Sequence, residues 1–229
     1  MALLDFNIQF GDIALYLDLK PSATVMDALM QIDRLDAVFL ETLMSKHSSG
    51  VSVLAAPYGL ESITDIRPDD VNKLLEITAQ SYDCVFIDLP HLITPWVVDT
   101  LRFSEHVMMV VQNSLSTIKN AKLLMRTLPE MGVSRKKLEV INNRALSKNA
   151  SVEFPKLKEA LNLELIHRVR NDFEVALSSQ DQGVPFWSVS AKSNLTQDIN
   201  HLAEYIWLQQ NGSIKNKRAG LLSRIFGAK

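Results

Sequence analysis

The chain has only eight glycines in 229 residues, and none of them is followed by lysine. Gly11, Gly50, Gly59, Gly132, Gly183, Gly212, Gly220 and Gly227 are scattered, so no G-x-x-x-x-G-K-S/T phosphate loop occurs within these residues. The single cysteine, Cys84, lies in an apolar run. It excludes a disulfide within the chain and a cysteine-rich metal centre, and reads as a small buried hydrophobe. No apolar run approaches the roughly 18 residues of a transmembrane helix, and no secretory signal pattern opens the sequence. These absences predict a cytoplasmic protein. The five histidines lack the spacing of a metal site, and no serine–histidine–aspartate order with a nucleophile elbow is present.

What is there fits a globular protein. The chain is 47% apolar and 22% charged, and its length is ample for a large core. The net charge of −2 is uneven. Lys215, Lys217, Arg218, Arg224 and Lys229 lie in an acid-free tail, which leaves the rest of the chain near −7 (−2 less the tail's +5). An acidic body lacks the clustered cations that displace phosphate counterions, so no nucleic-acid partner is predicted.

Short apolar runs alternate with helix-period segments. Strands are predicted at 2–5, 51–55, 84–88, 106–111, 138–142 and 165–169, several of them apolar at consecutive positions, as strands covered on both faces are. Helices are predicted at 24–46 (broken near 33–36), 68–80, 117–131 and 194–210. The second opens on Pro68 with acids in its first turn, and the third ends before Gly132. This alternation predicts an α/β fold with a mainly parallel sheet flanked by helices. Ligands of such sheets sit beyond the carboxyl ends of the strands.

Two acids stand at those ends. Asp5 closes the first apolar run and Asp88 closes the third, ahead of Leu89-Pro90. A carboxylate ending a buried strand needs a partner or a metal, and in phosphoryl-transfer sites such an aspartate holds Mg²⁺ through water. It can equally cap the loop that follows. After the fifth run, Ile141-Asn142-Asn143-Arg144 offers amides able to bond an adenine edge, although asparagine is also a common turn residue.

Taken as an ordered set, these segments resemble the MinD/ParA family of deviant P-loop ATPases, and within it the CpaE/TadZ pilus-assembly branch. The set comprises Leu3 to Leu17 (with Asp5-Phe6-Asn7-Ile8-Gln9-Phe10-Gly11-Asp12 at its centre), Leu54-Ala55-Ala56-Pro57, Tyr82 to Pro90, Val140 to Arg144, Asn171-Asp172-Phe173 and Gln182-Gly183-Val184-Pro185. The resemblance implies a domain over residues 1–210, incomplete at its N-terminus, and a linker with a basic amphipathic tail over 211–229. Asp5 then resembles the first switch aspartate and Asp88 the metal-binding aspartate, holding Mg²⁺ through water. Asn143 resembles the adenine-reading asparagine. Asn7 stands where the family carries a second, water-orienting aspartate, and an amide cannot play that part. The family's first strand, P-loop and following helix would precede Met1, and the family's first strand lies mid-sheet, so neighbouring strands are expected to show unpaired edges. Truncation of a longer protein is the leading expectation, a natural P-loop-free relative the alternative.

The function implied is that of an assembly or localisation scaffold in a Tad/Flp-type pilus or related secretion machine. Its partners would be a secretion ATPase and inner-membrane platform proteins, with homodimerisation a further expectation. It would sit peripherally at the inner membrane or the cell pole. ATP and Mg²⁺ are the family's cofactors, with weak or no binding expected for this chain. The alternative is an active ATPase of which this chain is a part.

In the tail, Leu221, Leu222, Ile225 and Phe226 fall on one face of a helix, with Arg224, Lys217 and Arg218 beside it. Such a composition suits an interfacial amphipathic helix and is similar to the membrane-targeting tail of MinD. Co-sedimentation with anionic liposomes should therefore fall on deletion of residues 217–229 or on Phe226→Glu, and should weaken with salt. Equal binding by the truncated protein rules the anchor out.

Overall fold

The computed structural model describes residues 1–59, 66–145 and 154–211. The tail residues Leu221, Leu222, Arg224, Ile225 and Phe226 lie outside the described residues. Two compact units emerge. One is built from Met1–Thr100 with Gln180–Val184, the other from Leu101–Ser179 with the described residues from Pro185 to Asn211.

In the first unit, β1 (Ala2–Asp5) lies between β3 (Ser52–Leu54) and β4 (Val85–Asp88), parallel to both. Ala2, Leu4 and Asp5 are buried, as expected of a short apolar strand paired on both edges. A two-residue strand, β2 (Ser45–Lys46), pairs antiparallel with β3. The long helix predicted over 24–46 is three pieces: α2 (Val25–Met30), a 3₁₀ turn (Ile32–Arg34) and α3 (Ala37–Leu43). Each α-helical piece has its own start signal. Thr24 and Asp27 form a reciprocal capping box, and the Asp36 carboxylate accepts the Phe39 N–H at 2.8 Å. Between β1 and α2 lies α1, a single turn at Ile13–Tyr16 that the sequence pattern does not reveal.

The helix α4 (Pro68–Ser81) starts on proline with Asp69 and Asp70 in its first turn, favourable for the helix dipole. It buries Val71, Leu74, Leu75 and Thr78. Beyond β4, α5 (Pro95–Phe103) places Trp96 against the buried Phe6, ring centroids 5.7 Å apart.

The second unit is a parallel sheet in the order β5 (Val107–Val111), β6 (Leu138–Ala145), β7 (His167–Arg170). One face carries Val111, Val140 and Ile166 packed with Ile118 and Ala121 of α6 (Leu115–Glu130) and with Leu157 and Leu161 of α7 (Phe154–Leu161). The other face carries Ile141 and Val169. They pack with residues of α8 (Phe173–Gln182), α9 (Phe186–Ser190) and α10 (Asn194–Asn211). Helices on both faces explain why β6 is apolar at consecutive positions. Ser114 caps α6, and Gly132 (φ 85°) ends it, the Val133 N–H reaching the Leu128 carbonyl.

Near the amino ends of these strands the Glu139 carboxylate takes hydrogen bonds from His106 Nδ1 at 2.6 Å and His167 Nε2 at 3.1 Å. The Tyr205 ring lies on His167 with centroids 4.4 Å apart. Among the described residues no group of three acidic, histidine or cysteine side chains forms a metal site, and no helix is long and apolar enough to cross a membrane.

β4 is an edge strand of the first sheet and β5 of the second. Apolar side chains stand open on both, with Phe86 40% and Val110 60% exposed. The core of the first unit is tested by Leu74→Ala, since Leu74 is fully buried. Truncation there should cost about 2–5 kcal/mol, read as a lower midpoint in denaturant unfolding.

Candidate functional site

Asp5 and Asp88 are direct partners in the parallel register of β1 and β4, so the two carboxylates emerge side by side at the carboxyl end of the sheet. The Phe6 N–H continues the ladder, donating to the Asp88 carbonyl at 2.9 Å. Asp88 is exposed, whereas Asp5 retains only 1% of its surface.

The Asp5 carboxylate is held by its own loop. The Asn7 N–H donates to Oδ1 at 3.2 Å, and the Ile13 N–H, at the start of α1, donates to Oδ2 at 3.3 Å. Gly11 presses on the same group. A Cβ built at Gly11 would stand 2.5 Å from both Asp5 carboxylate oxygens and 2.4 Å from the Ala56 Cβ. Only glycine permits this approach, a role the sequence pattern alone did not reveal because it arises from a tertiary contact.

Burial pushes the Asp5 carboxyl from an ordinary 3.8 up to about 6. The two backbone N–H bonds oppose that rise, and the neighbouring charges of Asp88 and Asp12 add to it. Asp88 is also raised, by desolvation at the strand end, with His91 pulling the other way. Two adjacent carboxylates, both biased toward the neutral form, match the chemistry of a divalent cation: a bound Mg²⁺ would offset their repulsion.

Asn7 is engaged within its own loop. Its side-chain Nδ2 donates to the Phe10 carbonyl at 3.0 Å, closing the loop on itself. In the second unit, Asn143 stands near the end of β6 with its Oδ1 accepting the Arg144 N–H at 2.8 Å, and Arg144 takes a left-handed φ of 51°. Its neighbour Asn142 is fully buried with neither amide atom hydrogen-bonded. A buried amide without partners is costly and marks a polar point in an apolar layer. The structure thus brings Asp5, Asn7 and Asp88 together in one unit and sets Asn143 in the other.

An α/β architecture with acids at the carboxyl ends of parallel strands is shared by several nucleotide-binding folds, the P-loop NTPase-like folds among them. No family model matches the chain. A solved ParA family ATPase from Chlorobium tepidum superposes with a TM-score of 0.82 at 25% identity, covering 89% of this chain and 85% of that one. MinD from Pyrococcus horikoshii, complexed with Mg-ADP, superposes with a TM-score of 0.77 at 16% identity, over 93% of this chain and 86% of that one. In sequence, the septum site-determining protein MinD of Thermotoga maritima is 25% identical over 145 residues, 62% of this chain and 53% of that protein. The match therefore spans about half the length of that curated relative. These likenesses relate the chain to the MinD/ParA ATPases.

The raised Asp5 carboxyl has a measurable consequence. Between pH 4 and pH 6 the unfolded chain has already released this proton while the folded chain retains it, so the Asp5 contribution to stability is present below about pH 4 and lost as pH rises to about 6. A shift from 3.8 to about 6 amounts to about 3 kcal/mol. The stability of Asp5→Asn relative to the natural chain should rise by that order between pH 4 and pH 7 in urea unfolding.

Proposed function

We propose that this chain is a localisation or assembly scaffold of the CpaE/TadZ type, serving a Tad/Flp-type pilus or related secretion machine at the inner membrane. The observation that carries the non-catalytic reading is the closed loop at Asp5. Both carboxylate oxygens are taken up by N–H groups of that loop, and the amide of Asn7 is spent on the Phe10 carbonyl. The loop thus engages Asp5 and Asn7 with itself, and Asn7 offers no carboxylate to act as base toward a water. No phosphate-loop motif occurs among these residues, so the backbone cradle that offsets triphosphate charge is not supplied by them. A secretion ATPase and membrane platform proteins are the partners of this reading. The basic tail supplies the membrane contact.

A second reading rests on the paired carboxylates. Asp5 and Asp88, adjacent in register and biased toward protonation, are suited to holding a hydrated Mg²⁺. Such a group would supply charge neutralisation at the phosphates. This is the pattern of an active ATPase of which the chain forms part. The coding sequence upstream of Met1 discriminates the two: an in-frame K-G-G-x-G-x-S/T-S/T segment there favours the ATPase.

Titration of the chain with Mg-ATP in a calorimeter should give no saturable heat. Micromolar affinity, or hydrolysis lost on Asp88→Ala, overturns the scaffold reading.

A further inference from the structure

Residues 9–20 cross over Asp5 as a strap, and what holds it there is unusual. None of them is buried, and Phe10 and Leu15 are each 70% exposed. α1 is one turn of four residues with no buried side chain, too short to persist by itself. Ile13, Ala14, Leu17 and Leu19 are only half-buried, so apolar burial holds the strap in part, and two backbone contacts add to it. One is Gly11 on the Asp5 carboxylate, with its bonds from Asn7 and Ile13.

The other lies at the far end of α1. The Leu19 N–H reaches the Ala14 carbonyl at 2.9 Å and the Asp18 N–H reaches the Leu15 carbonyl at 3.1 Å. This helix ending normally places glycine where Asp18 stands. Asp18 has a φ of 47°, the left-handed conformation this ending calls for, which aspartate adopts more readily than most residues but at a cost that glycine does not bear.

Gly183 lies against Asp18. It is buried in the helix-end turn Gln180–Val184, the last three residues of α8 and the two that follow, which packs with the first unit, and its own φ is 60°. A Cβ at Gly183 would stand 2.4 Å from the Asp18 Cβ, 3.0 Å from its backbone nitrogen and 3.2 Å from its Cα. The backbone of the turn is thus seated directly on the strained residue. Gln180, Asp181 and Gln182, at the end of α8, are polar and exposed, while Val184 is half-buried.

We propose that the Gln180–Val184 turn is a clamp: Gly183 seated on Asp18 holds the strap closed over Asp5, and withdrawal of the turn exposes the Asp5 carboxylate. The clamp does not depend on whether Asp5 meets a nucleotide. It also gives a role to the Gln182-Gly183-Val184-Pro185 segment, which the reading of the site leaves without one.

Amide hydrogen exchange reads the strap directly, because Asn7 and Ile13 donate to Asp5. Gly183→Ala should speed exchange at both amides roughly tenfold while leaving Val53 and Leu54 in β3 unchanged. Gln182→Gly loosens the turn without adding an atom and should speed the same two amides several-fold, which keeps the test open if Gly183→Ala does not fold. Adding Asp18→Gly to Gly183→Ala removes the tightest contact and should return exchange toward that of the natural chain. Unchanged exchange at Asn7 and Ile13 in the folded single variants overturns the clamp. So does equal acceleration at Val53 and Leu54, or a double variant that stays as fast as Gly183→Ala.

Discussion

Burying a carboxylate at the end of a central strand is the constraint on which the first unit turns. β1 is paired on both edges, so Asp5 cannot swing into solvent without breaking the ladder to β4. The chain meets the desolvation penalty with backbone donors from residues that immediately follow, and this requirement shapes the loop. Asn7 must fold back, Gly11 must lack a side chain, and α1 must begin where its first free N–H can point at Asp5. The compensation is partial, since the carboxyl remains raised to about 6. A buried group left near its ionisation point is responsive to any cation or proton that reaches it.

Much of the architecture was legible from residue patterning because burial on both faces leaves consecutive apolar residues. All six predicted strands exist, with ends moved by a few positions. The break in the 24–46 helix was legible too, because Asp36 has the short acceptor side chain of an N-cap. What escaped notice depends on distant partners. β2 consists of a serine and a lysine whose strand character comes only from pairing with β3. α1 reads as a continuation of an apolar run, and its ends are set by the contacts of Asp5 and Gly183.

The candidate site divides in the same way. Asp5 and Asp88 were visible as acids that end apolar runs, and the register puts them side by side. Gly11 was within the quoted motif, yet its purpose appears only when the carboxylate lies beneath it. Asn143 was singled out in preference to Asn142, but it is Asn142 that is fully buried with its amide unsatisfied. Sequence spacing cannot tell which of two adjacent asparagines faces inward unless the strand register is known.

The open side of β4 gives Asp88 a second physical meaning. β4 is four residues long, and its Phe86 stands open to solvent, the kind of border to which a foreign extended chain could add itself. Any intruder that paired along the whole strand would have to draw the exposed Asp88 carboxylate, already averse to losing water, further from solvent. A charged terminus on so short a strand is a gatekeeper. The acid proposed to hold a cation thereby also discourages the protein from polymerising through its own sheet.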